Sequence, residues 1–117
     1  MNELMDLVMH SLKNAETAQW FVYIVETNNG AYYTGITIDV ARRFKEHCAQ
    51  STKTAKALRG RMPLRLVYCA KVNNHSEALK AEIWIKKQTK CKKVALVQHA
   101  LTLPFSHTVY AKAVASN

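Results

Sequence analysis

Residues 23–47 read YIVETNNGAYYTGITIDVARRFKEH. Two segments rich in aromatic and β-branched residues flank Asn28-Asn29-Gly30, and a basic, helix-patterned segment follows Asp39. This predicts a β-hairpin that runs into a helix. The strands are WFVYIVE (20–26) and AYYTGIT (31–37), with NNG (28–30) as the turn. The helix is VARRFKEHCA (40–49), with Asp39 as N-cap and Val40, Phe44 and Cys48 on one stripe. The first strand is apolar at nearly every position, so both its faces are expected to be covered.

The turn decides where the tyrosines point, because side chains alternate along a strand. A two-residue Asn29-Gly30 turn sets Tyr23 opposite Ile36 and sends Tyr33 to the other face. A three-residue loop over residues 28–30 sets Tyr23 opposite Gly35, with Tyr33 opposite Val25 on the same face. Gly30 in third place suits the bulged form of that loop. Asn-Gly is the commonest two-residue signal and tilts the reading toward the shorter turn.

Outward from the hairpin, QSTKTAKALRGRMP (50–63) is a basic, polar connection with room for a short helical turn. LRLVYCAKV (64–72) is a third strand. SEALKAEIWIKKQTK (76–90) is a helix capped by Ser76, with Leu79, Ile83 and the Lys86 stem on one side. CKKVALVQHAL (91–101) is a further helical pattern. At the other end, Leu4, Met5, Val8, Met9 and Leu12 recur at helical spacing over residues 3–14. Their apolar face can serve the domain or self-association. The fold class is therefore α+β: a small three-stranded sheet, hairpin plus one strand, flanked by helices, with an extra N-terminal helix. The units are a helical extension (1–19), a main domain (20–101) and a tail (102–117).

Length and composition fit this reading. The 117 residues suit one domain with its own core, and a hydrophobic fraction of 49% argues against disorder. No apolar run approaches a membrane span, and the start does not read as a signal peptide, so the cytoplasm is the expected compartment. Cys48, Cys69 and Cys91 have no C-x-x-C spacing and read as reduced thiols. Charge is more telling. Residues 1–20 carry one lysine against three acids, a net of −2, whereas residues 21–117 carry 16 cations against 5 acids, a net of +11. A folded body of that sign attracts polyanions, with nucleic acid the foremost candidate.

The hairpin and its helix resemble the GIY-YIG nuclease superfamily. Val22-Tyr23-Ile24 stands in place of Gly-Ile-Tyr, and Tyr33-Thr34-Gly35 in place of Tyr-Ile-Gly. GITIDVARRFKEH matches the family pattern G-x-[ST]-x-D-[LIV]-x-R-R-x-x-x-H. The likeness runs from about Trp20 to His99 and is greatest to the small stand-alone bacterial, YhbQ-like group. It implies a catalytic set of Tyr23, Tyr33, Arg43, His47 and Glu82, with Glu82 holding Mg²⁺ or Mn²⁺. In that scheme Arg43 clamps the scissile phosphate, and His47 accepts or relays a proton near neutral pH. Gly35 lets the backbone pass close to the cluster. Two features depart from the excision-repair relatives: Ile36 replaces a lysine, and the asparagine after the glutamate helix has no counterpart.

The implied activity is metal-dependent phosphodiester hydrolysis of DNA, more than of RNA, directed by structure or damage. Arg42, Lys45, Lys53, Lys56, Arg59, Arg61, Lys86, Lys87 and Lys90 are the candidate backbone contacts, blind to base sequence. The competing reading is a nucleic-acid-binding module without hydrolysis. A third is an interaction protein working through its N-terminal helix. Ordinary roles also compete: Arg43 can pair with Glu46 or Glu82, and Glu82 lies four residues before Lys86, a common helix-stabilising spacing.

Overall fold

The computed structural model describes residues 19–110. The helix expected over residues 3–14 lies outside them. Trp20–Glu26 forms β1 and Tyr32–Thr37 forms β2, an antiparallel hairpin. Helix α1 (Val40–Cys48) follows, capped by the Asp39 side chain, which accepts from the Arg42 N–H. A 3-10 turn at Lys56–Leu58 leads to β3 (Arg65–Val72). Helices α2 (His75–Lys86) and α3 (Lys90–Val97) come next, then a short strand β4 (His107–Val109).

Among the described residues the sheet has four strands, in the order β2-β1-β3-β4, all antiparallel. The expected three-stranded sheet is thus one strand short. The addition comes from the segment read as a tail, where three residues beside Phe105 and Pro104 carry too little periodicity to announce a strand. Central β1 is buried from Phe21 to Val25, which explains its unbroken apolar run. Its register with β3 slips between Ile24 and Val25, leaving Val67 as an extra residue.

The hairpin takes the three-residue loop, so the lean toward a two-residue turn is overturned. Tyr23 lies opposite Gly35, and Val25 opposite Tyr33. Two tertiary bonds explain the outcome. The Asn28 N–H donates to the Arg61 carbonyl, and its side-chain amide to the Met62 carbonyl. With Asn28 held by the connection before β3, the loop closes between Thr27 and Ala31 instead. The Thr27 N–H donates to the Ala31 carbonyl, and Gly30 takes the left-handed conformation at φ 82°.

Helix α1 covers the face of β1 that carries Tyr23, whose ring meets His47. The start of α2 meets the other face, where Trp20 stacks on His75 with centroids 4.3 Å apart. Asn74, not Ser76, caps α2, one residue ahead of the expected start. The helix is also turned differently from expectation. Ala78, Ala81 and Ile85 face the core, while Leu79 and Ile83 are exposed. Two alanines let the helix approach β1 and β2 closely, a fit that the bulkier leucine–isoleucine stripe does not offer. Glu82 stands one turn from Ala78 and so lies on the inward side.

Tyr68, on β3, is 1% exposed, and its hydroxyl has no hydrogen-bond partner among the described residues. Burying such a group costs stability. Tyr68→Phe is therefore expected to raise stability by about 1 kcal/mol, read as a higher denaturant midpoint at unchanged slope. A lowered midpoint would point to a bond that the hydroxyl makes.

Candidate functional site

The three-residue loop puts Tyr23 and Tyr33 on one face as diagonal neighbours, with ring centroids 6.4 Å apart. The Tyr23 ring lies directly over Gly35. A Cβ at that position would stand 2.6 Å from Tyr23 Oη and 2.7 Å from Cζ. Glycine is required here for space, since the clash is with a ring that is itself 1% exposed. Ile36 belongs to the opposite face of the strand and packs against the core. The lysine that excision-repair relatives carry therefore has no equivalent on the tyrosine side here.

His47 completes the ring cluster from α1. Its centroid is 6.1 Å from Tyr23 and 5.6 Å from Tyr33, edge-on to the latter. Nε2 lies 2.9 Å from Tyr23 Oη, and Nδ1 accepts the Ala55 N–H at 3.3 Å. An acceptor Nδ1 in a neutral ring leaves the proton on Nε2, so His47 donates to the Tyr23 oxygen. The ring is fully buried, and that burial, with the Arg43 charge nearby, lowers the His47 pKa to about 4. The expected role of His47 was to accept or relay protons near neutral pH; in this arrangement burial favours the neutral ring, with Nδ1 accepting and Nε2–H donating.

Burial pushes the Tyr23 phenol up, and Tyr33 and Glu82 push the same way; Arg43 opposes them by charge and hydrogen bonding. Those influences define the neighbourhood: Arg43 from α1 and Glu82 from α2 both act on the Tyr23 oxygen. Both also have the ordinary partners foreseen for them. Arg43 Nη1 donates to Glu46 Oε1 at 2.9 Å and to the Lys53 carbonyl at 2.7 Å. The Arg43 hydrogen bond holds the Glu46 carboxyl below its usual range. Glu82 pairs with Lys86 at 3.3 Å.

Among the described residues, no three His, Cys, Asp or Glu side chains gather to cage a metal. A lone carboxylate on the inward side of α2 suits a hydrated Mg²⁺ or Mn²⁺ that keeps most of its waters.

The expected backbone contacts fall into two groups. Arg42, Lys45, Lys53, Lys56, Arg61 and Lys87 are exposed. Arg42 and Lys53 are close enough to Glu46 to help lower its carboxyl, so they flank the site. Arg59, Lys86 and Lys90 are also exposed but have partners within the fold. Arg59 donates to the carbonyls of Thr52 and Thr54, Lys86 pairs with Glu82, and the Lys90 ammonium sits 3.6 Å over the Tyr32 ring and bonds the Gly30 carbonyl. Sequence reasoning missed the Ala55 N–H and the Lys53 carbonyl. Backbone groups carry no residue signature, so no pattern announces them. No described helix is long and apolar enough to cross a membrane.

Residues 19–94 match the family model described as the GIY-YIG catalytic domain. A UPF0213 protein of Pectobacterium carotovorum is 46% identical over 99 residues, covering 84% of this chain and 98% of that protein. UPF0213 protein YhbQ of Escherichia coli is 50% identical over 78 residues, covering 67% and 76%. The solution NMR structure of a Bacillus halodurans UPF0213 protein is 41% identical, with a TM-score of 0.46 over 69% of this chain and 84% of that one.

Proposed function

The chain belongs to the GIY-YIG family, and we propose that it is a metal-dependent nuclease hydrolysing phosphodiester bonds in DNA, directed by substrate structure or damage, as in repair. The carrying observation is the 2.9 Å contact between Tyr23 Oη and His47 Nε2, made within the ring cluster and beside Arg43 and Glu82. A phenol bonded in this way by a neutral imidazole has its own O–H free to turn toward substrate water. When that proton leaves, the Nε2–H bond and the Arg43 charge stabilise the phenolate. As the phenolate left once that proton has passed to solvent, Tyr23 is the general base that takes a proton from the attacking water. Burial holds its affinity for protons high, which makes it a strong base once ionised.

Arg43 Nη1 is engaged, so the rest of the guanidinium faces the phosphate, where its planar fork fits two oxygens. Tyr33 packs against both His47 and Tyr23 and keeps water from the buried side. Glu82 would hold Mg²⁺ or Mn²⁺, which when bound supplies charge neutralisation at the phosphate and leaving oxygen. Arg42, Lys45 and Lys53 attract the backbone without reading bases.

The second reading is a nucleic-acid-binding module without hydrolysis. It is favoured by the internal pairing of Arg43 with Glu46 and of Glu82 with Lys86. The two separate on a panel of branched, nicked and single-stranded DNAs, with RNA counterparts, incubated with Mg²⁺, Mn²⁺ or chelator. Metal-dependent cleavage of DNA is expected, and Tyr23→Phe is expected to slow it about a hundredfold. Salt-sensitive binding without cleavage of any substrate would leave the second reading standing.

A further inference from the structure

The connection between α1 and β3 reaches back onto the helix through three consecutive residues. The Lys53 carbonyl accepts from Arg43 Nη1 at 2.7 Å. The Thr54 hydroxyl donates to the Glu46 carbonyl at 2.8 Å and lies 3.3 Å from that of His47. The Ala55 N–H donates to His47 Nδ1. Thr54 is only 2% exposed, although polar.

This loop is held from behind. Arg59 Nε donates to the Thr54 carbonyl at 3.2 Å and its Nη2 to the Thr52 carbonyl at 3.0 Å. The Gln50 amide donates to the carbonyls of His47 and Leu58, and its oxygen accepts the Gly60 N–H at 2.7 Å. Arg59 is the long, charged member of this set. Its Nε–H and one Nη2–H are directed at backbone carbonyls of the loop, which fixes the plane of the guanidinium against it.

We propose that residues 51–55, braced by Arg59, are a clamp that fixes the aim of Arg43 and the tautomer of His47, and that Arg59 is a positioning residue, not a phosphate contact. The effect on cleavage rests on the nuclease reading; the effect on His47 does not. Guanidinium is planar and always charged, so it can bridge two carbonyls whose spacing an ammonium does not match. Removing it releases the Thr52 and Thr54 carbonyls, and the Ala55 N–H moves with them. His47 then loses the bond that excludes a proton from Nδ1. The charged or titratable groups acting on the ring remain Tyr23, Tyr33, Arg43 and Glu46.

The test is the ring ¹⁵N spectrum of His47 from pH 4.5 to 8 in the full chain and in Arg59→Ala, Arg59→Lys and Arg61→Ala. The wild-type ring is expected in the Nε2–H form, without titration above pH 5. Arg59→Ala should show mixed tautomers and a titration moved toward the ordinary histidine value, about 6.5. Arg59→Lys should fall between, and serves as the reporter if the alanine variant does not fold. Arg61→Ala should leave the ring unchanged. On cleaved DNA, Arg59→Ala should lower kcat at least tenfold with KM and the salt dependence of binding unmoved. A phosphate contact predicts the opposite pattern: weaker binding, and a salt slope shallower by about one unit. A wild-type Nδ1–H tautomer, or an Arg59→Lys ring identical to wild type, overturns the clamp. If the ring responds as expected but no variant, wild type included, cleaves DNA, the clamp stands and the nuclease reading falls.

Discussion

Glu82→Ala is expected to reduce metal-dependent cleavage by on the order of a thousandfold or more, equivalent to about 4 kcal/mol of transition-state stabilisation, while DNA binding holds or tightens. The separation follows from where Glu82 stands. Its side chain is on the inward side of α2, 20% exposed, and near enough to Tyr23 to raise the phenol. In the proposed mechanism it would hold the metal, and removing it would also remove a negative charge from beside the phosphate. The competing role, an ion pair with Lys86 four residues on, contributes only about 0.5 kcal/mol at such exposure. Alanine is itself a good helix former, so thermal stability should move by no more than a few degrees. Glu82→Gln keeps the shape without the charge and should be as inactive as the alanine variant. Single-turnover cleavage in Mg²⁺, paired with binding measured in chelator, reads both arms. Wild-type cleavage by the glutamine variant would remove Glu82 from the mechanism.

Gly35→Ala is the second large effect, and it strikes fold and site together. The new methyl would lie 2.6 Å from Tyr23 Oη and 2.7 Å from Cζ, well inside contact distance. The ring has nowhere easy to go: it is buried, packed by Tyr33 and His47, and tied to Nε2. Overpacking of this kind destabilises by about 1–3 kcal/mol. The ring must shift off Gly35, so the Tyr23 oxygen leaves its place, and displacements near 1 Å cost about a hundredfold in rate. The cause can be isolated with a double-mutant cycle. In a Tyr23→Leu background, where the clashing atoms are gone, Gly35→Ala should cost under half its original stability loss. Equal losses in both backgrounds would mean that the alanine acts elsewhere, on the strand's backbone rather than on the ring.

Much of the fold is legible in the chain because its signals are local. WFVYIVE appears as a strand at the expected residues, buried from Phe21 to Val25, and Asp39 caps α1 where the pattern sets it. The helical stripe of Val40 and Phe44 faces the core. The family resemblance, by the spacing of Tyr23, Tyr33, Arg43 and Glu82, proposed the candidate set. Local signals failed where two neighbouring solutions were nearly equal. Ser76 and Asn74 are both good caps, and the chain uses Asn74. On α2, Leu79 and Ile83 make the more apolar stripe, yet Ala78, Ala81 and Ile85 face inward because the sheet lies close.

The site depended on decisions made at longer range. Asn-Gly favours a two-residue turn in isolation. The bonds from Asn28 to Arg61 and Met62, more than thirty residues away, select the three-residue loop and so put both tyrosines on one face. His47 looked like a neutral-pH proton carrier by its type. Burial and the Ala55 N–H favour the neutral ring with its proton on Nε2. Arg59 read as one more cation for a phosphate; its bonds to the Thr52 and Thr54 carbonyls are a tertiary feature that the sequence did not signal.

By itself, then, the order of residues determined the strands, the first helix and its cap, the basic character of the body and the identity of the candidate catalytic set. The elements and the charge rest on propensity, periodicity and composition, which neighbouring residues settle among themselves; the candidate set rests on the family resemblance. Tertiary structure decided the hairpin register, the inward side of α2, the fourth strand and the protonation of His47. Each of those is a choice between locally similar alternatives, separated only when backbone groups distant in the chain find their hydrogen-bond partners.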